Sequence, residues 1–245
     1  MEVLILRLEG PMMSFGAPIV DNRGVIQEHP TLSMLTGLIG NALGYRHAEA
    51  DRLQSLQDRI RFAARRDRAG ETFTDFQTVD LGQEFLKRAG WTTRDEREDR
   101  RGGSASEATH IRYRQYLAGA RYTVALSLEP EDHLEPDLDT IAGALRRPER
   151  PLFIGRKTCL PAVPILAGRC EAKNVLRALE TWPVDEAISE ADATREAWWP
   201  ADLADTGRRT RELKVNDRRD WANQVHTGQR TLRHGLISVQ GDGNS

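Results

Sequence analysis

Three short segments carry residue types that bind phosphate groups. Ser14-Phe15-Gly16 lies in a loop rich in glycine and proline that follows an apolar strand, and Gly155-Arg156-Lys157 combines a glycine with two adjacent cations. Thr31 and Ser33 begin a predicted helix, whose N-terminal N–H groups attract anions. Hydroxyls, exposed backbone N–H groups and cations together form a place where phosphates bind. The structural alternative is a packed connection, with Phe15 in the core and with Thr31 and Ser33 serving only as helix caps.

An alternating strand adds a second set of candidates. The residues that recur with a period of two, and therefore share one strand face, are His110, Arg112, Arg114 and Tyr116. Cations beside an aromatic ring are typical of RNA-binding sheets, although any exposed strand can show the same pattern. The strand therefore predicts RNA contacts only in combination with other evidence.

The charged residues are segregated along the chain. The 245-residue sequence has a formal net charge of -2, which argues against a uniformly basic nucleic-acid-binding protein. Residues 180–205 are nevertheless mostly acidic, whereas 207–233 carry an excess of arginine and lysine. Within this basic segment, Arg218 and Arg219 are predicted to contact either RNA backbone or a neighbouring protein, and Trp221 is expected in the core.

Nucleotide-cofactor and metal chemistry have little support. There is no complete G-x-G-x-x-G or Walker pattern, and Cys159 and Cys170 are too far apart to form a zinc site of their own. The cysteines are expected to be buried thiols, and no metal or cofactor is predicted. A metal-independent endoribonuclease would need a general acid and a general base close together. The sequence does not pair any two of its candidates, which are His29, His47, His110, His133, His226, His234, Tyr113 and Tyr116.

The composition is that of a soluble globular protein, with 39% hydrophobic and 29% charged residues. No segment approaches the roughly 18 consecutive apolar residues of a membrane span. Met1 leads directly into a strand, with no basic region or cleavage site of a signal peptide. A cytoplasmic protein without membrane contact is expected.

Periodicity predicts a mixed α+β chain. Strands are predicted at Val3–Leu8, Arg59–Arg65, Glu71–Val79, His110–Leu117, Arg121–Leu128, Ile165–Gly168 and Leu232–Val239. Helices are predicted at Thr31–Leu43, Glu49–Gln57, Leu138–Arg146 and Lys173–Thr181. The second and third strands are predicted to form a hairpin with the arginines of Arg59–Arg65 on its open side, and a short strand is predicted within Pro148–Pro164. Residues 81–109 are too polar to pack in a core, and they are predicted to form a long insertion. This order of elements favours a ferredoxin-like arrangement.

Several motifs, in order along the chain, resemble one known family. They are L-I-L-R-L-E-G-P-M-M-S-F-G near the start, P-T-x-S with G-L-I-G-N-A-L-G in the first helix, F-x-x-R-x-D at Phe62 to Asp67, F-I-G-R-K-T-C-L-P at Phe153 to Pro161, and R-R-D-W-x-N-x-V-H-x-G-x-R near the C-terminus. The sequence resembles the CasD family, subunits of the type I-E CRISPR Cascade complex. The likeness extends over nearly the whole chain, apart from the insertion and the acidic stretch.

The resemblance implies a fold, a function and a set of partners. The fold would be a ferredoxin-like or RRM-like RNA-binding domain (1–80 and 110–170), a thumb insertion (81–109) and a smaller C-terminal region containing β-strands (171–245). The function would be a non-catalytic subunit that holds the 5′ handle of CRISPR RNA and caps that end of the complex. The alternative is an endoribonuclease that cuts repeat RNA, as a related subunit does in another subtype. Partners would be the RNA, a backbone subunit and a large subunit, with target DNA contacted only through the guide.

The RNA-binding residues expected on this basis come from five places along the chain. They are Ser14, Phe15, Gly16 and Arg23; Thr31 and Ser33; His110, Arg112, Arg114 and Tyr116; Gly155, Arg156 and Lys157; and Arg218 and Arg219.

Overall fold

The computed structural model describes residues 1–17, 22–80, 90–91, 97–98, 109–130, 134–184, 194–203 and 208–239. The strands are β1 (Glu2–Glu9), β2 (Met12–Met13), β3 (Arg23–Gly24), β4 (Ile60–Arg68), β5 (Glu71–Asp80), β6 (Gly90–Trp91), β7 (Arg97–Glu98), β8 (Thr109–Ala118), β9 (Arg121–Leu128), β10 (Leu166–Glu171), β11 (Thr194–Pro200), β12 (Arg208–Val215), β13 (Arg219–Asp220), β14 (Val225–His226) and β15 (Arg230–Ser238). The helices are α1 (Leu32–Ala42), α2 (Ala50–Arg59), α3 (Leu138–Arg146) and α4 (Val175–Thr181). The predicted α+β class is confirmed.

A seven-stranded antiparallel sheet forms the centre of the molecule. Its strand order is β10-β1-β9-β4-β11-β15-β12. β1 lies between β10 and β9, and its residues Val3 to Leu6 are fully buried. A nearly continuous apolar run predicts such a strand, because both of its faces must be covered. The C-terminal strands β11, β12 and β15 extend this same sheet.

Helices cover both faces of the sheet. Leu35 and Ile39 of α1 share one buried cluster with alternate residues of β1 and β9, and Ile141 of α3 belongs to the same cluster. On the opposite face, Leu176 and Leu179 of α4 belong to a second cluster with the intervening residues of the strands. Because each face is buried, strand residues at odd and even positions both enter the core.

The predicted hairpin of the second and third strands is wrong. β4 pairs with β9 on one side and with β11 on the other, so no free edge remains for the strand that follows it. The prediction of arginines on an open face is also wrong, since Arg65 is fully buried and Arg59 is 6% exposed. Helix α4 covers the face that carries Arg65, whereas Arg59 is the last residue of α2 and donates to the carbonyl oxygen of Pro136 at 2.9 Å.

Strand β5 instead pairs with β8, from Glu71 opposite Ala118 to Asp80 opposite Thr109. The two strands form an antiparallel ribbon, and β8 also pairs with the short strands β2 and β3. Along the ribbon, Phe76 is 56% exposed and Tyr113 is 36% exposed. These two residues are paired across the ribbon on one face, and the consecutive residues 109–114 of β8 are all exposed, so side chains on both faces of the ribbon reach solvent.

Two further expectations are corrected by the described residues. No strand forms within 148–164, because four prolines there lack the N–H that a sheet requires and Gly155 adopts a positive φ of 97°. Cys159 is buried, whereas Cys170 is only half-buried.

Within the described chain, no helix is long and apolar enough to cross a membrane. The predicted insertion at 81–109 lies outside the described residues, apart from the backbone of the β6–β7 pair and Thr109.

Candidate functional site

A groove of about 420 Å³ brings together segments that are far apart in the sequence. One wall is α1, which contributes Ser33, Met34, Gly37, Leu38 and Asn41. The other walls are the loop at 14–17, the loop at 153–157 and the C-terminal segment from Arg219 to His226. Both loops that were predicted to bind phosphate therefore line the same cavity.

A close backbone contact fixes the two loops against each other. The N–H of Ser14 donates a hydrogen bond to the carbonyl oxygen of Ile154 at 3.0 Å. Gly155 has a φ of 97°, and a side chain at this position would overlap the backbone oxygen of Ser14. Only glycine adopts this conformation and permits this approach without strain. Gly155 therefore holds the loops together in addition to lining the groove.

The two cations of the second loop have different roles. Arg156 donates hydrogen bonds to the carbonyl oxygens of Gln115 at 2.7 Å and Gly24 at 3.2 Å, and its guanidinium lies 4.8 Å from the centre of the Tyr116 ring. Arg156 thus joins the loop to β3 and β8. Lys157 is exposed at the groove, and its ammonium has no hydrogen-bond or ion-pair partner among the described residues. Lys157 is therefore the cation that is available to an anionic ligand.

The start of α1 does not offer an open anion site. The Leu32 N–H donates to a carboxylate oxygen of Asp217 at 2.9 Å, and the Ser33 N–H donates to the backbone oxygen of Asp217 at 3.0 Å. Thr31 is fully buried, and its side chain makes no capping hydrogen bond. The Leu32 and Ser33 N–H groups are therefore already taken by Asp217, and the RNA contact expected at Thr31 and Ser33 stays a prediction that these two N–H groups do not support.

Asp217 is held by a charged partner. Arg230 donates to both of its carboxylate oxygens, at 2.7 and 2.6 Å. Burial alone would raise the pKa of Asp217, but hydrogen bonds and charge from Arg230, with the Leu32 amide, outweigh burial and hold the pKa below its usual value. The carboxylate is therefore charged at neutral pH and fixes the C-terminal segment beside α1.

Two predicted aromatic contacts are also corrected. Phe15 is fully buried and packs edge-on against Tyr122, with 5.1 Å between ring centres. Tyr116 is 2% exposed and stacks on Phe73 at 5.5 Å. Neither ring presents a free face to a base, because the main core and Arg156 take up these surfaces. The structural alternative for Phe15 is the correct one.

The C-terminal wall combines a cation, an indole and an imidazole. Gln57 of α2 accepts hydrogen bonds from the Arg219 N–H at 3.0 Å and from the Trp221 indole at 3.3 Å. The guanidinium of Arg219 lies 5.3 Å from the Trp221 ring centre. Burial and then the charge of Arg219 lower the pKa of His226, so its imidazole is neutral at pH 7. Arg219 and His226 thus give the groove one fixed positive charge and one neutral ring.

The remaining predicted residues lie away from the lining of this groove. His110, Arg112 and Arg114 are exposed on β8, and Arg23 lies 5.5 Å from the centre of the Tyr113 ring on the same ribbon. Arg218 forms an ion pair with Asp58 at 2.6 Å. Among the predicted residues, those that line the groove are Ser14, Gly16, Ser33, Gly155, Arg156, Lys157 and Arg219.

Several residues that line the groove were not predicted from sequence as part of a site. Asn41 and His47 lie on either side of the end of α1, and Phe153 precedes the glycine loop. His47 and His226 appeared in the sequence only as unpaired acid–base candidates. A helix periodicity could place Asn41 on the same face as Ser33 and Gly37, but no local pattern indicates that His47 and His226 line the same groove.

The described residues contain no group of three histidine, cysteine, aspartate or glutamate side chains that could hold a metal ion. The chemistry available in the groove is therefore that of cations, backbone dipoles, imidazoles and an apolar floor formed by Ala17, Met34, Leu38 and Phe153.

Comparisons with known proteins identify relatives of this chain. The protein is 34% identical over 176 residues to the CRISPR system Cascade subunit CasD of Escherichia coli (strain K12), covering 72% of this chain and 75% of that protein. A chain of a solved CRISPR RNA-guided surveillance complex is 26% identical, with a TM-score of 0.66 and coverage of 98% of this chain and 90% of that chain. A crystal structure titled Cas protein shares the fold at 21% identity and a TM-score of 0.64, covering 99% of this chain and 100% of that one.

A family model described as CRISPR-associated protein (Cas_Cas5) matches residues 3–233. This range includes the whole groove and the main sheet, apart from the first residue of β1 and the second half of β15. On this match, together with the identity to the Escherichia coli protein, the chain belongs to the Cas5 family of CRISPR-associated proteins.

Proposed function

We propose that this protein is a non-catalytic RNA-binding subunit of a type I-E Cascade complex, where it holds the 5′ handle of CRISPR RNA and caps that end of the assembly. The observation that carries the proposal is the convergence of the loops at 14–17 and 153–157 with Arg219 in one groove. The relatives support the biological setting, since one is named a Cascade subunit and another belongs to an RNA-guided surveillance complex.

The groove has the chemistry that single-stranded RNA requires. Lys157 and Arg219 supply positive charge for phosphates, and the apolar floor suits bases that have left a helical stack. Neutral His226 adds hydrogen-bonding capacity without charge. A groove lined by both cations and apolar residues favours nucleotides over a purely apolar or purely anionic ligand.

The same proposal includes a domain organisation. The strand order β10-β1-β9-β4, with α1 and α2 between β1 and β4 and α3 between β9 and β10, supports a ferredoxin-like domain for residues 1–80 and 110–170. Residues 81–109 would be the thumb, and 171–245 the C-terminal region. A backbone subunit and a large subunit would be its protein partners in the cytoplasm, with target DNA contacted only through the guide.

Removal of two cations that line the groove tests the proposed function. The variant Lys157→Ala/Arg219→Ala is expected to bind repeat-derived RNA about 10- to 100-fold more weakly, because two charged contacts to phosphate are lost. Fluorescence anisotropy over a range of salt concentrations measures both affinity and salt slope, which should fall by about 1.4. The control is Lys173→Ala/Arg61→Ala, which removes two charges outside the groove. Equal affinities of the two variants would contradict the proposal.

A metal-independent endoribonuclease is the second candidate, because His47 and His226 line the same groove as Lys157. Two imidazoles beside a bound phosphate can serve as general acid and base. We expect repeat RNA to remain intact when it is incubated with the protein in EDTA. Specific cleavage that disappears in His47→Ala or His226→Ala, but persists in the exposed-ribbon variant His110→Ala, would favour the enzyme.

A further inference from the structure

Four arginines lie where the C-terminal ends of α1 and α3 meet. We call the set formed by Arg46, Arg146, Arg147 and Arg150 the basic strip. Arg46, Arg146 and Arg147 are exposed, and within the described residues none of their guanidinium groups has an ion-pair partner. A solvated surface can carry charges of both signs in balance. Here the positive charges are in excess, and such a surface attracts anions.

Hydrogen bonds join the two segments that carry these arginines. The Glu149 N–H donates to the carbonyl oxygen of Ala42 at 2.9 Å. Arg150 donates to the carbonyl oxygens of Tyr45 at 2.9 Å and of Gly44, which ends α1 with a positive φ of 79°. Arg150 therefore serves as a cap for α1, and it fixes the residues 146–150 beside 42–46.

Nearby acidic groups leave the strip with a positive excess. Glu49 is paired with Arg52 at 2.6 Å and also accepts the backbone N–H of Arg46. The other acidic residues within 41–52 and 141–152 are Asp51, in the first turn of α2, and Glu149, whose side chain packs near Gly44. Once the Glu49–Arg52 pair is set aside, the four arginines of the basic strip outnumber the two remaining carboxylates.

The basic strip is continuous with the groove. Asn41 and His47 line the groove at the end of α1, and the Asn41 amide donates to the carbonyl oxygen of Pro151 at 2.6 Å. Arg46 directly precedes His47 in the chain, so the strip begins where the groove ends. A polymer that leaves the groove past His47 meets these arginines next.

We propose that the basic strip binds the phosphate backbone of RNA nucleotides that extend beyond the groove, an inference that rests on the proposed function. Phosphates are the expected ligands because the strip offers positive charge but no exposed apolar surface on which bases could stack or a protein could pack. None of the large hydrophobic residues that are exposed in the described chain lies within 41–52 or 141–152, whereas a protein partner would require an apolar centre. The strip supplies affinity without reading sequence.

RNA length separates this inference from the proposed function. The probes are dye-labelled, repeat-derived single strands of about 6 and about 16 nucleotides, since sites of this kind hold about 4–16 nucleotides. The longer probe is used with its extension at either end. The test variant is Arg146→Gln/Arg147→Gln, which leaves the structural Arg150 intact, and the control is Lys173→Gln/Lys214→Gln, whose two lysines lie outside the groove and the strip.

The expected result is a loss of RNA affinity that depends on the length of the probe. Arg146→Gln/Arg147→Gln should bind the short probe as the unaltered protein does, and should bind one of the longer probes about 3- to 10-fold more weakly. The salt slope for that probe should fall by about 1.4. Unchanged affinity for both longer probes, while Lys157→Ala/Arg219→Ala still weakens binding, would overturn the strip and leave the proposed function standing. Unchanged affinity in both variants would overturn both.

Discussion

Arg65→Ala is expected to lower the free energy of unfolding by about 3–5 kcal/mol, because it removes one partner of a fully buried ion pair. Arg65 donates to a carboxylate oxygen of Asp67 at 2.5 Å, and to the carbonyl oxygens of Leu179 at 2.5 Å and Trp182 at 2.7 Å. Its loss leaves the buried Asp67 without its cationic partner and leaves the carbonyl oxygens at the end of α4 without donors. Urea unfolding followed by circular dichroism measures the change.

Arg61→Ala is the matched control, because it removes an arginine from the same face of the same strand. Arg61 pairs with Glu129 at 3.1 Å and with Asp202, whose side chains are 51% and 65% exposed. Exposed pairs of this kind contribute about 0–1 kcal/mol. If both variants lose the same free energy of unfolding, the buried Arg65–Asp67 pair matters no more to stability than an exposed ion pair.

Asp217→Ala is expected to lower the free energy of unfolding by a similar amount, about 3–5 kcal/mol, since it leaves Arg230 without its carboxylate and the Leu32 N–H at the start of α1 without its acceptor. Asp217 is 1% exposed, and its carboxylate contacts Leu32 from 185 residues away in the sequence. The control Asp58→Ala removes the carboxylate that pairs with Arg218, and both side chains of that pair are nearly half exposed. Loss of no more than 1 kcal/mol in Asp217→Ala would contradict this interpretation.

The effect of Asp217 should depend on pH in a defined direction. Its pKa in the folded protein lies below the usual value, so its stabilising effect is complete above about pH 4, where the unfolded carboxyl is already ionised. The effect declines as the pH falls through the lower pKa of the folded state. The difference in stability between the unaltered protein and Asp217→Ala should therefore shrink in urea titrations below about pH 4. A difference that grows on acidification would contradict the assignment.

The regular elements could be predicted from sequence because their signals are local. The apolar run in β1 and the bounds of α3 follow from periodicity over a few residues. The glycine loop at Gly155 was also recognisable, since glycine beside two cations is a local pattern. The prediction of a β4–β5 hairpin was wrong because strand pairing depends on which strand edges remain free in the whole sheet. Both edges of β4 pair with other strands, β9 and β11.

In the candidate site, too, some features follow from local sequence and others from the tertiary structure. The sequence alone identified Ser14 to Gly16 and Gly155 to Lys157 as segments whose residue types can bind phosphate. Only the tertiary structure decided that Phe15 faces the core, that Arg156 is used to join strands, and that Lys157 is left available. Likewise, it placed Asp217 on the end of α1, where a phosphate was expected. A short pattern fixes what a side chain can bind, but burial and partners from distant segments decide whether it is free to do so.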